Sequence, residues 1–169
     1  MTLSKNQKMF AVIYLAATII VFTGLYAFSK SNWKLAYEKQ AYLKCLPYVL
    51  TLMNEKNIKL DDITYGSLVS VNTDNLTKYY GKDNDLLKLV VGMPGDVIDM
   101  TGTTVKINNV EYGKLKSEDN LLMAPYSNQK FILQESELFL MGSTPVSLDS
   151  RVVGPIKIEN IKGKGYALL

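Results

Sequence analysis

The sequence predicts a mainly β domain of antiparallel strands, preceded by one N-terminal transmembrane helix. Three observations support this prediction. The stretch 9–29 has no charged residue, and about 20 residues at about 1.5 Å each cross the ~30 Å hydrocarbon core of a bilayer. Beyond residue 44, short runs of Val, Ile, Leu and Phe are separated by Gly, Pro and Asn turn residues. One pair of runs is joined by Asn108 and Asn109, which tolerate the positive φ angles of a tight hairpin turn.

The chain divides into four parts. A short basic tail, 1–8, precedes the transmembrane helix, 9–29. A juxtamembrane segment, 30–44, fits a linker or a helical extension of the span. Residues 45–169 form the β domain, in which the stretch 113–130 has little periodicity and is predicted to be an exposed loop.

The apolar N-terminal run also fits a cleaved signal peptide. Lys5 and Lys8 precede it, and the triplet 27–29 is a passable small-x-small cleavage site. The run is longer than the usual apolar region of a signal peptide, which favours a retained helix, and Trp33 and Tyr37 suit a membrane interface. Because lysines stand on both sides of the run, the positive-inside rule leaves its orientation open.

Composition limits the chemistry available to the chain. The 169 residues carry a net charge of +3, which is too small and too dispersed to indicate nucleic-acid binding. The sequence has one cysteine, Cys45, and no histidine. These counts exclude an internal disulfide, Ser-His and Cys-His nucleophile pairs, and histidine zinc sites. We therefore expect no metal and no cofactor, and proton transfer must use Lys, Tyr, Cys or a carboxylate.

One charged side chain interrupts an apolar strand. In "LLKLVVGMPGD", residues 86–96, Lys88 lies between Leu86 and Val90 on one face, and the opposite face is apolar as well. Removing an ammonium group from water disfavours its charged form, so a buried lysine can act as a general base near neutral pH. The alternative is an edge strand whose lysine keeps its head group in water.

Two further segments supply partners for such a base. Cys45 is followed by Leu-Pro, which indicates an irregular backbone that can present a nucleophile; a lone cysteine is also commonly a small buried apolar residue. In "SLDSR", Ser147, Asp149 and Arg151 alternate and would share one face of an extended backbone. The carboxylate and guanidinium can then pair, and the hydroxyl is available to a neighbour. A polar strand face closed by a Gly-Pro turn is the purely structural alternative.

In this order, the segments resemble the type I signal peptidase family of membrane-anchored Ser/Lys proteases, most of all its conjugative-transfer branch, the TraF-like signal peptidases. Cys45-Leu46-Pro47 matches the Ser-Met-Pro nucleophile box of that branch, with Cys in place of Ser. Lys88, three residues and then Gly92-Met93-Pro94-Gly95-Asp96 match the base box. Ser147-Leu148-Asp149-Ser150-Arg151 with Gly154-Pro155 matches the final box, although Ser143 replaces an aspartate usual before it.

The resemblance implies a signal-peptidase-like fold and a role for each matched residue. Cys45 would be the nucleophile and Lys88 its general base. Ser147 would orient the Lys88 amine through a hydrogen bond, and Asp149 and Arg151 would form a structural ion pair behind the site. The residues of the turn that ends the Lys88 strand would be Gly92, Pro94, Gly95 and Asp96.

The resemblance also implies an activity and a location. The chain would be an endopeptidase with an acyl-enzyme intermediate, acting on a pilin precursor or another exported protein. Its β domain would lie on the periplasmic side of the bacterial inner membrane, held by one span, with other conjugative-transfer proteins as further candidate partners. A thiol ionises more readily than a hydroxyl, and its thioester reacts with amines as well as with water, so hydrolysis and pilin cyclisation both stay open.

Two other interpretations remain. The chain could be a non-catalytic, tethered β domain that serves as an assembly or binding component, with Cys45 marking a lost active site. The LexA-like self-cleaving proteins share Ser/Lys chemistry, but they are soluble and carry a helical DNA-binding domain. This chain carries a predicted membrane span instead.

Overall fold

The computed structural model describes residues 4–37, 45–72, 86–101, 104–114, 126, 128–145 and 147–169. The helices in these ranges are α1 (Lys5–Ser29) and α2 (Ser150–Val153), with 3₁₀ turns at Leu60–Asp62 and Ile158–Asn160. The strands are β1 (Trp33–Tyr37), β2 (Leu50–Asn54), β3 (Leu68–Val71), β4 (Leu86–Gly92), β5 (Val97–Asp99), β6 (Thr104–Ile107), β7 (Val110–Lys114), β8 (Lys130–Ile132), β9 (Glu137–Met141), β10 (Ile156–Lys157) and β11 (Ile161–Ala167). The remaining residues, which include most of the loop predicted at 113–130, lie outside the described part of the chain.

Helix α1 begins with a capping box. The Ser4 hydroxyl accepts a hydrogen bond from the Gln7 backbone N–H at 3.3 Å, and the Gln7 side chain accepts one from the Ser4 backbone N–H at 2.9 Å. The helix therefore starts at Lys5, four residues before the predicted span, and ends at the predicted Ser29. Its length and composition suffice to cross a membrane, and none of its residues is buried.

The strands form two antiparallel sheets, as the sequence predicts. The larger sheet has the order β1-β2-β11-β3-β4-β9-β10, and the smaller one the order β7-β6-β5-β8. The predicted hairpin joins β6 to β7 through Asn108 and Asn109, with φ angles of 51° and 68°. Both angles are accessible to asparagine at little cost, so the tight turn is encoded locally.

Two apolar cores meet at β9. Its alternate residues Leu138 and Leu140 pack into one core, and Phe139 and Met141 pack into the other. Strand β4 pairs with β9 through a bulge between Val90 and Gly92. A Cβ at Gly92 would lie 2.8 Å from the Phe139 Cβ, so glycine is required for this close approach. Strands β4 and β9 therefore hold the centre of the domain.

The β domain begins before residue 45. Residues 33–37, predicted to belong to a juxtamembrane linker, form β1 and pair with β2 over five residues. The sequence signal was the alternation of Trp33, Leu35 and Tyr37, which suits a strand with one apolar face. The segment between span and domain is consequently only three residues long, from Lys30 to Asn32.

Candidate active site

Lys88 lies in the middle of β4, between two neighbouring strands. It pairs with Val69 of β3, and the next residues of β4 pair with β9. The edge-strand alternative is therefore wrong, and the side chain is only 3% exposed. It lines a small cavity whose other walls include Leu140, Ser150 and Ile156. In the described part of the chain its amine forms no hydrogen bond and no ion pair.

Cys45 lies outside regular secondary structure and is half-buried. Its carbonyl oxygen accepts a hydrogen bond from the Ser143 backbone N–H at 2.6 Å. Ser143 follows β9, whose last residue, Met141, pairs with Leu89. The backbone that carries Cys45 is thus tied to the strand next to Lys88. Within the described ranges no hydrogen bond joins the Cys45 thiol to the Lys88 amine, so the dyad stays a prediction.

Ser147 is buried against the same backbone. A Cβ at Gly142 would collide with the Ser147 hydroxyl and lie 2.7 Å from the Cys45 carbonyl oxygen. The Cys45 carbonyl and the Ser147 side chain therefore meet at Gly142, and the missing side chain of this glycine makes the close approach possible. The Ser147 hydroxyl has no hydrogen-bond partner among the described residues. The hydrogen bond predicted between Ser147 and Lys88 is accordingly not formed in this structure.

Asp149 and Arg151 form the ion pair that the sequence predicts, but not on an extended strand. Asp149 caps the short helix α2, accepting from the Arg151 backbone N–H at 3.1 Å. Its carboxylate also accepts from Arg151 Nε at 2.9 Å and Nη2 at 2.6 Å. The predicted extended backbone is wrong from Ser150 to Val153, because aspartate is a strong helix N-cap and its capping bond turns the chain.

The ion pair holds three segments together. Asp149 accepts a hydrogen bond from the Gly142 backbone N–H at 2.8 Å. Arg151 donates to the Thr144 carbonyl oxygen at 2.7 Å and to the Lys114 carbonyl oxygen at 3.2 Å. Both ionic residues are at most 5% exposed. Helix α2, the segment after β9 and strand β7 are therefore fixed relative to one another around Gly142.

The Met-Pro-Gly-Asp turn ends β4, as predicted, and is closed by Asp96. The Asp96 carboxylate accepts hydrogen bonds from the Met93 backbone N–H at 2.7 Å, from Asn108 Nδ2 at 2.7 Å and from the Tyr65 hydroxyl at 2.9 Å. Burial, and then the hydrogen bond to Asp96, raise the pKa of Tyr65. Sequence reasoning missed Tyr65 and Asn108 as partners, because both contacts depend on how the two sheets meet.

The site uses backbone more than side-chain contacts to position Cys45. Among the described residues no group of three or more Cys, Asp or Glu side chains is arranged to hold a metal ion. Cys45 is half-buried and tied through its carbonyl to the segment after β9, while the Lys88 and Ser147 side chains are both buried. Such an arrangement suits nucleophilic acyl transfer with a lysine base.

Comparison with known proteins identifies the class. Residues 6–168 match the family model described as signal peptidase, peptidase S26. Because this match spans almost the whole chain, the chain belongs to the signal peptidase S26 family of proteases. Among solved structures, the chain is similar to a signal peptidase I from Enterococcus faecalis V583, with 21% identity, a TM-score of 0.39 and coverage of 63% of this chain and 97% of that one. A search of curated proteins gave no match.

Proposed function

We propose that this chain is a membrane-anchored endopeptidase of the conjugative-transfer branch, in which Cys45 is the nucleophile and Lys88 the general base. The burial of Lys88 at the centre of β4 carries this proposal. A buried ammonium without a partner costs far more free energy than a buried neutral amine. A lysine in this position is therefore difficult to explain by stability alone, whereas a base that must accept a proton needs such a setting.

The second support is the attachment of Cys45 to the strand beside that lysine. The hydrogen bond from Ser143 to the Cys45 carbonyl holds the nucleophile segment against the end of β9. Catalytic hydrogen bonds are often long in the unbound enzyme and tighten when substrate binds. Closure of a Cys45–Lys88 contact on substrate binding would complete the dyad.

The proposed reaction has two steps. Lys88 takes the thiol proton, and the Cys45 sulfur attacks the carbonyl carbon of the scissile peptide, with the Cys45 backbone N–H donating to the oxyanion. The carbon–nitrogen bond then breaks, the leaving amine takes the proton from Lys88, and a thioester remains. Water then attacks the thioester while Lys88 takes one of its protons, the carbon–sulfur bond breaks, and Lys88 returns the proton to the Cys45 sulfur as the carboxylic acid leaves. Attack by the substrate's own terminal amine, with the same proton transfers, would instead give a cyclic product.

The proposed substrate is a pilin precursor or another exported protein, cut at the periplasmic face of the bacterial inner membrane. Helix α1 supports a membrane-tethered site because it is long and apolar enough to cross a bilayer. Strand β1 follows it after three residues, so the catalytic domain stays close to the membrane. A substrate that is itself held in the membrane by an apolar segment would be cut efficiently there.

Alkylation of the purified full chain in detergent tests the dyad. Cys45 is the only cysteine, so one iodoacetamide adduct, measured by intact mass, reports its reactivity. We expect Lys88→Met to slow alkylation at neutral pH by more than about tenfold, since the thiolate loses its base. Lys106→Met, which removes an exposed lysine of β6, is the matched control and should alkylate at the wild-type rate.

Equal alkylation rates in wild type and Lys88→Met would refute the dyad and favour the non-catalytic, tethered component.

Incubation with a purified pilin precursor then tests the substrate. A linear product and a cyclic product differ in mass by one water, so intact mass distinguishes hydrolysis from cyclisation. If the precursor is recovered uncut while the Cys45 thiol is fully reactive, pilin is not the substrate, and the Cys45–Lys88 dyad is not contradicted.

A further inference from the structure

A buried serine other than Ser147 lies beside the proposed base. Ser150 is the first residue of α2 and is only 1% exposed. Its hydroxyl oxygen accepts a hydrogen bond from the Leu140 backbone N–H at 2.9 Å, which fastens α2 to β9. The proposed reaction gives this hydroxyl no role.

Strand pairing brings Ser150 to the side of the sheet that carries Lys88. Lys88 and Val90 are alternate residues of β4, so their side chains share a face. Val90 pairs with Leu140 of β9, and directly paired residues of antiparallel strands share a face as well. Leu140, whose N–H binds Ser150, therefore lies on the Lys88 side. Lys88, Leu140 and Ser150 line one cavity there.

Ser147 occupies a different position. Its side chain and the Cys45 carbonyl oxygen both lie against Gly142, and Ser147 is not among the described residues that line the Lys88 cavity. The serine that the family resemblance assigns to the lysine is therefore not the serine that shares the cavity with it.

The cavity offers the Lys88 amine few oxygen atoms. Its volume is about 10 Å³, which is at the lower limit for one water molecule. Asp149 also lines it, but the carboxylate is paired with Arg151 and already accepts four hydrogen bonds, which fill its lone-pair sites. The Ser150 oxygen has two lone pairs and uses one for Leu140. Among the described side chains of this wall, Ser150 therefore has the free acceptor.

We propose that Ser150, and not Ser147, is the positioning residue for Lys88. The Lys88 amine donates one N–H to the Ser150 hydroxyl oxygen, which leaves the nitrogen lone pair free to receive the proton of the nucleophile. After that transfer the same oxygen accepts from the ammonium group. The proposal rests on the proposed function, because Ser150 acts only through the base.

Protonation of Lys88 is the state in which this contact forms. The amine makes no hydrogen bond within the described part of the chain, and a neutral amine can stay unpaired at modest cost. A buried ammonium group needs an acceptor, because its charge is costly away from water. Proton uptake therefore draws the head group to the Ser150 oxygen, and the contact can be measured without substrate.

Exchange of the Lys88 ammonium protons with water tests the contact by NMR. A Cys45→Ser background removes the thiol that could share the Lys88 proton, and the full chain is labelled at lysine Nζ in detergent micelles. Lys88→Met identifies the Lys88 signal by its loss. We expect Ser150→Ala to speed the exchange by about tenfold or more at a common acidic pH, because a hydrogen bond to a charged group must break before the proton leaves. Ser150→Thr, which keeps a hydroxyl, should restore the slow exchange.

Two other serines provide the comparison. Ser70 is buried in β3, but its side chain lies on the face opposite to that of Val69, which pairs with Lys88. Ser70→Ala and Ser147→Ala should both leave the exchange rate of the Lys88 signal unchanged. An unchanged rate in Ser150→Ala, or an equal acceleration in Ser147→Ala, would overturn the proposal.

A measurement on the serines themselves requires no folded variant of Ser150. In the Cys45→Ser chain labelled at serine Cβ, the Ser150 signal should shift as the Lys88 amine takes up its proton, and Lys88→Met should abolish this shift. A Ser150 signal that does not follow Lys88 would overturn the proposal, whatever the Ser147 signal does. If alkylation of Cys45 in the wild-type chain still depends on Lys88, that result removes the positioning role of Ser150 and does not contradict the proposed function.

Discussion

Replacing Asp149 with asparagine tests whether the buried ion pair supports the site. The carboxylate accepts four hydrogen bonds, three from Arg151 and one from the Gly142 backbone N–H. In either orientation of an asparagine side chain, its NH₂ group faces two of these donors, so two bonds are lost. Two hydrogen bonds to a charged group at about 1.5 kcal/mol each give about 3 kcal/mol. This agrees with the usual cost of about 3–5 kcal/mol for breaking a buried ion pair.

The free energy of unfolding in urea, followed by the fluorescence of Trp33, measures this loss in the detergent-solubilised full chain. The matched control is Glu55→Gln, which breaks the partly exposed ion pair between Glu55 and Lys34 and should cost less than about 1 kcal/mol. A loss below about 1 kcal/mol for Asp149→Asn, equal to that of the control, would refute the argument that this pair holds the domain together.

Three further predictions follow from single contacts. Gly142→Ala should lower any peptidase activity by about 100-fold, since its Cβ displaces neighbouring backbone by up to about 1 Å, and it should also slow alkylation of the thiol. Gly24→Ala, whose Cβ meets no atom within 4 Å, is the control, and unchanged activity in Gly142→Ala would contradict the packing argument. Tyr65→Phe should cost about 1 kcal/mol in the free energy of unfolding. The pKa of Tyr65 is raised in the folded state. The contribution of its hydroxyl to the free energy of unfolding is therefore complete below the unfolded pKa of about 10 and is lost as pH rises through the folded pKa. If the difference in unfolding free energy between wild type and Tyr65→Phe does not shrink in urea titrations at alkaline pH, the hydrogen bond is not its origin. Asn109→Val should lower the free energy of unfolding by about 1–2 kcal/mol, because a β-branched residue is disfavoured at the positive φ angle of this hairpin. Equal unfolding free energies for wild type and Asn109→Val would show that the turn relaxes.

Local patterns sufficed to predict much of the fold. The apolar runs that became β4 and β9, the asparagine pair of the β6-β7 hairpin and the apolar helix α1 are all encoded by residues close in sequence. The pairing of Asp149 with Arg151 was also predictable, because the two residues are near neighbours of opposite charge. The extended backbone predicted for these residues was wrong, because an aspartate at the N-cap turns the chain into a helix within one turn. Alternation of residue types along the sequence is therefore not sufficient evidence for a strand.

Contacts between distant segments were not predictable in this way. Strand β1 forms because it pairs with β2, which lies farther along the chain. The apolar residues of β1 alone fitted a membrane-proximal linker equally well. Tyr65 and Asn108 meet Asp96 across 31 and 12 positions of sequence. Periodicity identifies which face of a strand is apolar, but only tertiary packing decides which polar residue closes a turn.

The backbone at Gly142 and Ser143 connects the buried ion pair to the Cys45 segment. Asp149 fixes the Gly142 N–H, and the next N–H, from Ser143, binds the Cys45 carbonyl. The contact that positions the Cys45 segment therefore comes from the main chain of residue 143 and not from its side chain. The Ser143 side chain takes no part in this hydrogen bond, whereas any side chain at 142 would disturb it. The buried ion pair thus acts on the Cys45 segment through two consecutive backbone amides.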